Sequence, residues 1–419
     1  MGVHRACAGV IAPAPDMFWL LLIAVIAALY AGIMYAAPEV VKPSGEVAQS
    51  RSGARAYVTP ALALFVMLVA DAAVFHGGLY SKVLKWNSSA GGVAIHVEGE
   101  VNRVRSGLSE IAVMGDSRLV QGFSARLADE LSQPKGFKFA KLAVRGTYPC
   151  IWYYMLREVD PSADRYRAIV IPFKSDDPDA YGNMGNRSVD ISMAAPLLRY
   201  TDAFSFAGSF REWKNRYAAF TACILRGSAY RADLADLLEH PAERLSHAKR
   251  RMALLGATYH YDGRQEDLSD LSYDTESGKL TFPPNTSSQK RLTIEQNVKT
   301  LQADDGRAER PGYWTRRIVR RYEKSRTAII FFRLPRGPLA SVVRPMQGTD
   351  LADTGLAAQG ATILNPLLFA DLERPEYYFD ANHPNAMGRQ HITERLVGEL
   401  SRGWIKGRRP AVCGETGEG

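Results

Sequence analysis

Three side chains of this 419-residue sequence are of the types that nucleophilic acyl chemistry requires: Ser117, Asp380 and His383. A serine hydroxyl attacks a carbonyl well only when a base within hydrogen-bond reach takes its proton, and an imidazole base needs a carboxylate to orient it. Ser117 stands in "IAVMGDSRLVQGF", where an apolar run stops at Gly-Asp-Ser. Asp380 and His383 stand three apart in "YYFDANHPNAMGRQ", just before a proline. Each residue alone has a plain structural reading, Ser117 and Asp380 as helix caps and His383 as a surface histidine. Together they offer attack of Ser117 on an acyl ester, with His383 as base and Asp380 holding its ring.

The flanking residues say how such a site is held. Ile111–Met114 reads as a buried strand, and Leu119, Phe123, Leu127 and Leu131 recur every fourth residue as one helix face. Ser117 is therefore expected in a tight strand-to-helix turn, near the positive end of a helix dipole. Further strands are expected at Phe137–Val144, Arg167–Phe173, Thr327–Pro335 and Ala361–Leu364, with a helix at Ile151–Val159. Strands alternating with helices predict an α/β fold, a three-layer α/β/α sandwich on a mainly parallel sheet. Pro384 fits the first position of a last helix, whose apolar stripe is Ile392, Leu396 and Leu400. In open sheets of this kind, sites lie outside the carboxyl ends of the strands, so Ser117 and the Asp380–His383 loop can share one rim. Asp176–Asn186 is turn-rich, Ala194–Leu255 leans to helix, and Tyr259–Ser288 is polar and irregular. Helical patterns return at Leu292–Leu301 and Tyr313–Tyr322, so a helical insertion is expected over about 190–325, inside a domain spanning 108–405.

With 46% hydrophobic and 23% charged residues, the chain has the composition of a folded protein. Its net charge of +8 comes from scattered arginines. The densest basic clusters, Lys249–Arg251 and Arg316, Arg317, Arg320 and Arg321, lie in helix-like patterns and read as solvated faces rather than a nucleic-acid site. No zinc-type Cys/His spacing and no glycine-rich phosphate loop occurs, so no metal and no cofactor is expected. The four cysteines, Cys7, Cys150, Cys223 and Cys413, form no recognisable framework.

Two stretches suggest a membrane anchor over residues 1–76. Met17–Ala37 carries no charge and is long enough to cross a hydrocarbon core of about 30 Å at about 1.5 Å per residue. Ala56–Phe75 is interrupted only by Pro60 and Asp71. The loop between them holds Lys42, Arg51 and Arg55, which places it in the cytoplasm and everything after His76 outside. Residues 77–107, with "WNSSAGG", read as a polar connector, and 406–419 as a tail.

The two blocks around Ser117 and His383 resemble those of the SGNH (GDSL-like) hydrolase superfamily, from about Ile111 to Trp404. Gly115-Asp116-Ser117 resembles its first block, with Ser117 as nucleophile, and Asp380-x-x-His383 with Pro384, Asn385 and Gly388 resembles its last. "AVRGTYP" resembles the second block, which implies that the Gly146 N–H joins that of Ser117 in an oxyanion hole. The third block departs from the family: "FKSDD" at Phe173–Asp177 lacks the expected asparagine, leaving Lys174 or Ser175 as substitutes.

An anchored, outward-facing domain of this kind, together with "GDSR" and "FFRLPRGP", resembles the envelope proteins that accompany membrane-bound O-acyltransferases in polysaccharide O-acetylation, alginate included. That resemblance implies an O-acetyltransferase at the inner membrane facing the periplasm, with a polysaccharide acceptor and a membrane-bound acyl donor as partners. A stand-alone carbohydrate or lipid esterase, and a degenerate polysaccharide-binding or scaffold subunit, are the other readings. Asp116 is expected to brace the turn. Arg118 could meet an acidic sugar or pair with a neighbouring acid, and Tyr148 and Trp152 could stack on a sugar or pack in the core.

Overall fold

The computed structural model describes residues 62, 64–173, 188–303, 312–346 and 355–404. The expected span Met17–Ala37, the residues Lys174 and Ser175, the turn at Asp176–Asn186 and the tail 406–419 lie outside the described residues.

Seven strands occur among the described residues: β1 Ser109–Gly115, β2 Phe137–Ala143, β3 Ala168–Pro172, β4 Ser272–Tyr273, β5 Leu280–Thr281, β6 Ala328–Phe332 and β7 Thr362–Ile363. Five form one sheet in the order β2-β1-β3-β6-β7, every neighbouring pair parallel. In β1, Ala112 and Met114 face one apolar core, and Ile111 and Val113 the other. Burial on both faces is why the strand reads as an unbroken apolar run rather than an alternating one. Helices Pro149–Val159 and Tyr313–Tyr322 cover the first face. Helices Ser117–Gly122, Ala125–Ser132 and Ala386–Trp404 cover the second, the last through Ile392, Leu396, Val397 and Leu400. The architecture is an α/β sandwich of three layers.

The connections explain where a site belongs. From β1 the chain returns to β2 through helices on the second face, then passes over β1 to β3 through Pro149–Val159 on the first. Crossovers on opposite faces open a crevice at the carboxyl end of β1, the topological switch point. Ser117 follows β1 by two residues, so it stands at that crevice.

Four expectations need correction. The stretch 77–107 is not a connector: Ser89–Val101 is a helix, capped by Ser88 Oγ on Gly91 N, with Val93 and Val97 in the first-face core. Ala90 and Ala94 pack against a further cluster with Tyr80, Val83, Leu84, Tyr230 and Leu237. The small residues that suggested a linker are there because the helix is packed on two sides. A Cβ on Gly91 would come within 1.9 Å of the Lys85 carbonyl oxygen.

Secondly, the Leu119–Leu131 stripe is two helices broken at Phe123. Ser124 Oγ caps the second on Leu127 N, which re-aims it so that Ala125 and Ala128 are buried and Leu131 is exposed. Thirdly, the insertion is mostly helical but contains the β4–β5 hairpin, and its Tyr313–Tyr322 helix belongs to the sheet's own cover. Finally, the end of the expected span Ala56–Phe75 belongs to the domain. Asp71 is buried and accepts Arg226 N and Gly227 N at 2.9 and 2.8 Å, so the helix enters the domain there. No helix of the described residues is long and apolar enough to cross a membrane.

The two-sided packing of Ser89–Val101 sets the sign of one substitution. In an exposed connector helix Gly91→Ala would stabilise by about 0.5–1 kcal/mol. Packed as it is, the added methyl should destabilise by about 1–3 kcal/mol, read as a lower midpoint in denaturant with unchanged slope.

Candidate active site

The site begins with a turn that its own side chains brace. Asp116 caps the helix Ser117–Gly122, accepting Arg118 N at 2.9 Å. Arg118 folds back onto the same carboxylate, its Nε 3.3 and 3.4 Å from the two oxygens. Asp116 therefore has the bracing role expected of it, and Arg118 pairs with a neighbouring acid. Gly115 is required by space, since a Cβ there would meet the Leu119 side chain at 2.4 Å.

The loop with Asp380 and His383 is tied as tightly. Asp380 Oδ1 accepts Asn382 N and His383 N, both at 2.9 Å, and Tyr378 and Pro384 form an antiparallel bridge across the loop. Asn385, not Pro384, starts the last helix: its Oδ1 accepts Gly388 N, and the helix begins at Ala386. Gly388 lies against the Tyr377 carbonyl, where a Cβ would approach to 2.4 Å. Below the loop, Gly337 packs against Ala381 O, and the Arg336 guanidinium pairs with the buried Glu373. The "RLPRGP" run thus supports the loop.

These two assemblies meet. His383 Nε2 lies 2.8 Å from Ser117 Oγ, and His383 Nδ1 lies 3.0 and 2.9 Å from the oxygens of Asp380. An ionised carboxylate only accepts, so Nδ1 carries the ring proton and Nε2 is left to accept from the serine hydroxyl. Burial pushes the Asp380 carboxyl up, but its bonds to His383 and to the Asn382 and His383 amides outweigh that and hold it below the ordinary value. The ring of Phe379 lies nearly parallel to His383 at 5.8 Å and carries the Arg264 guanidinium at 4.9 Å.

Gly146 lies beside the turn. Val144 N donates to Gly115 O at 2.9 Å, and the Thr147 hydroxyl reaches both Gly115 O and Val144 O while accepting from Trp152 Nε1. Gly146 has φ +73°, in the left-handed region that favours glycine. Trp152 is fully buried in the first-face core and Tyr148 is half-buried ahead of the Pro149–Val159 helix, so Trp152 is a packing residue.

Two residues escaped the sequence reading. Lys141 Nζ donates to Val120 O and Phe123 O at 2.9 and 2.7 Å, and Arg389 Nη1 donates to Val120 O and Gln121 O at 3.0 and 2.8 Å. Both cations cap the carbonyl end of the Ser117 helix, where its dipole favours them. Burial, with Arg389 nearby, lowers Lys141 well below the ordinary lysine range, and burial lowers Arg389 to about 10. Each had a signal. Lys141 interrupts the apolar second half of β2, "FAKLA", and Arg389 lies near the start of its helix, where the dipole disfavours it.

Compared with known proteins, the chain matches no family model and no curated protein. The site is therefore read from its own geometry. Among the described residues, no group of His, Cys, Asp and Glu is arranged to hold a metal ion.

The pH dependence of Asp380 follows from its lowered value. A depressed carboxyl contributes stability above its unfolded value of 3.8, and that contribution is lost as pH falls through the lower folded value. The stability difference between the wild type and Asp380→Asn should shrink as pH falls below 3.8. A difference that grew as pH fell below 3.8 in denaturant titrations would refute the assignment.

Proposed function

We propose that the chain is a serine acyl-ester enzyme of the SGNH kind, and that it transfers an acetyl group to a hydroxyl of an exported polysaccharide. The observation that carries this reading is the 2.8 Å contact between His383 Nε2 and Ser117 Oγ, with Asp380 on the other ring nitrogen. In the first step Ser117 Oγ attacks the acyl carbonyl carbon while His383 takes its proton. The Ser117 and Gly146 N–H groups are the proposed donors to the oxyanion, each donor worth about 3 kcal/mol. His383 then protonates the departing oxygen, leaving the acyl group on Ser117. In the second step His383 takes the proton of the incoming sugar hydroxyl, which attacks the acyl-enzyme, and Ser117 regains its hydrogen.

The partners proposed are a polysaccharide acceptor, a membrane-bound O-acyltransferase as acyl donor, and the membrane itself. Support for the membrane comes from residues 64–70, a helical stretch that is apolar at every position and has none of them buried. A helix that is apolar all round needs cover on every side. The domain then faces outward, following the positive charges of the loop before it.

Ser117→Ala, His383→Ala and Asp380→Asn should each remove most ester turnover from a folded protein, Ser117→Ala by about 10³-fold or more. The Ser117→Ala/His383→Ala double variant should be little worse than Ser117→Ala alone, because groups acting as a unit are not additive. Multiplying losses would mean separate roles. A serine-reactive phosphonate should label Ser117 in the wild type and not in Ser117→Ala, read by intact mass.

Transfer over hydrolysis has its own test. Water outcompetes a sugar unless the sugar is bound beside the acyl-enzyme, where effective concentrations reach about 10⁵ M. Given an activated acetyl ester and oligosaccharide, the enzyme should place acetyl on sugar while free acetate falls in proportion. Constant acetate across all acceptors, with the triad active, would leave an esterase.

A further inference from the structure

The chemistry at Ser117 makes no use of the aromatic side chains at the foot of the Ala72–His76 helix. The helix Trp213–Ile224 presents Trp213, Tyr217 and Phe220 at positions i, i+4 and i+7, a single stripe, while Asn215, Ala219, Ala222 and Cys223 face inward. Trp213 is 71% exposed, Tyr217 68%, and Phe204, in edge contact with Phe220 at 5.6 Å, 83%. Large aromatic rings in such numbers seldom stand in water as one patch. Lys214 and Arg216 flank the stripe on its two sides, both exposed.

The patch is joined to the apolar helix. Tyr200, exposed and four residues before Phe204, stacks on His76 at 4.1 Å and 12°. The helix end is fixed to the same element group: Arg226 N and Gly227 N bond Asp71, Arg226 Nη1 bonds Phe75 O, and the Phe75 ring lies 5.9 Å from Tyr230. Immediately outside this anchorage, Leu64, Phe65, Met67 and Val69 are exposed. An apolar helix with none of residues 64–70 buried, entering the domain beside a rim of Tyr, Trp and Phe with Lys and Arg among them, has the order of a bilayer core followed by its interface. Aromatic rings sit at headgroup depth with their polar edges wet, and the basic side chains reach anionic headgroups.

We infer that the face formed by Tyr200, Phe204, Trp213, Tyr217 and Phe220 lies on the lipid bilayer at headgroup level. The inference rests on the membrane reading above and adds to it an orientation. Because Asp71 and His76 lock the helix to this face, the domain lies on the membrane by one side rather than swinging on a tether. An acceptor chain then reaches Ser117 from a fixed direction.

The test uses the full chain reconstituted into phosphatidylcholine and phosphatidylglycerol vesicles with lipids brominated either near the headgroup or near the chain end. Bromine quenches tryptophan by contact, and Trp213→Phe at so exposed a position leaves the fold intact, checked by an unchanged unfolding midpoint. Headgroup-proximal bromine should quench the wild type more than Trp213→Phe, and chain-end bromine should show a smaller difference. Equal quenching of the two proteins, in chains that float with the vesicles, overturns the inference while the membrane anchor stands; crosslinking of the same sample then shows whether a second copy covers the face. Failure of the chain to float with the vesicles overturns the membrane reading itself.

Discussion

The hydrogen bond between Ser117 Oγ and His383 Nε2 joins segments 266 residues apart, and its length depends on how two short pieces of backbone are held. The helix that aims the serine has six residues, Ser117–Gly122. So short a helix has no stability of its own, because the cost of nucleation is not recovered within two turns. Its position comes from its ends. Asp116 satisfies the amide of Arg118 in its first turn, and Lys141 and Arg389 satisfy carbonyls at its end. Arg389 belongs to the helix that follows His383, so one side chain fixes the helix of Ser117 to the element next to His383. Gly122 lets the two approach, with a Cβ there 3.1 Å from Pro384.

The residues proposed to perform the chemistry were legible because their types are constrained by the proposed reaction. A serine after a strand and an Asp-x-x-His at a helix start are local patterns, and local patterns survive in a sequence. The parallel sheet was legible for a similar reason: strands buried on both faces lose their alternation and stand out as apolar runs. Boundaries were less so. The break at Phe123 depends on the Ser124 hydroxyl reaching Leu127 N, and the apolar period alone runs straight through it.

What escaped was set by contacts distant in sequence. Ser89–Val101 looked like a linker because its glycines and alanines carry no pattern of their own. Its burial is set by Tyr230 and Leu237, which share a cluster with Ala90 and Ala94, and by the sheet core that takes in Val93 and Val97, while the Lys85 carbonyl leaves no room for a Cβ on Gly91. Lys141 and Arg389 escaped for the same reason. A lysine in a strand and an arginine in a first turn are anomalies whose partners cannot be named until the fold is known.

Those two cations also show how the site tolerates a burial that is unfavourable in isolation. An unpaired ammonium in an apolar interior is expensive, and the lowered values of Lys141 and Arg389 record that strain on their charged forms. Neither has a carboxylate partner among the bonds that hold the Ser117 helix; each donates to main-chain carbonyls. Removing Lys141 would take the donor from Phe123 O, and removing Arg389 that from Gln121 O, while Val120 O keeps the other cation; either loss costs about 1–3 kcal/mol and would loosen the end of the helix that begins with Ser117. A carboxylate there would have paired the charges better, but it would have turned the cations away from the helix end. Main-chain acceptors keep both cations aimed at the helix, so the serine is positioned by the same interaction that makes their burial possible.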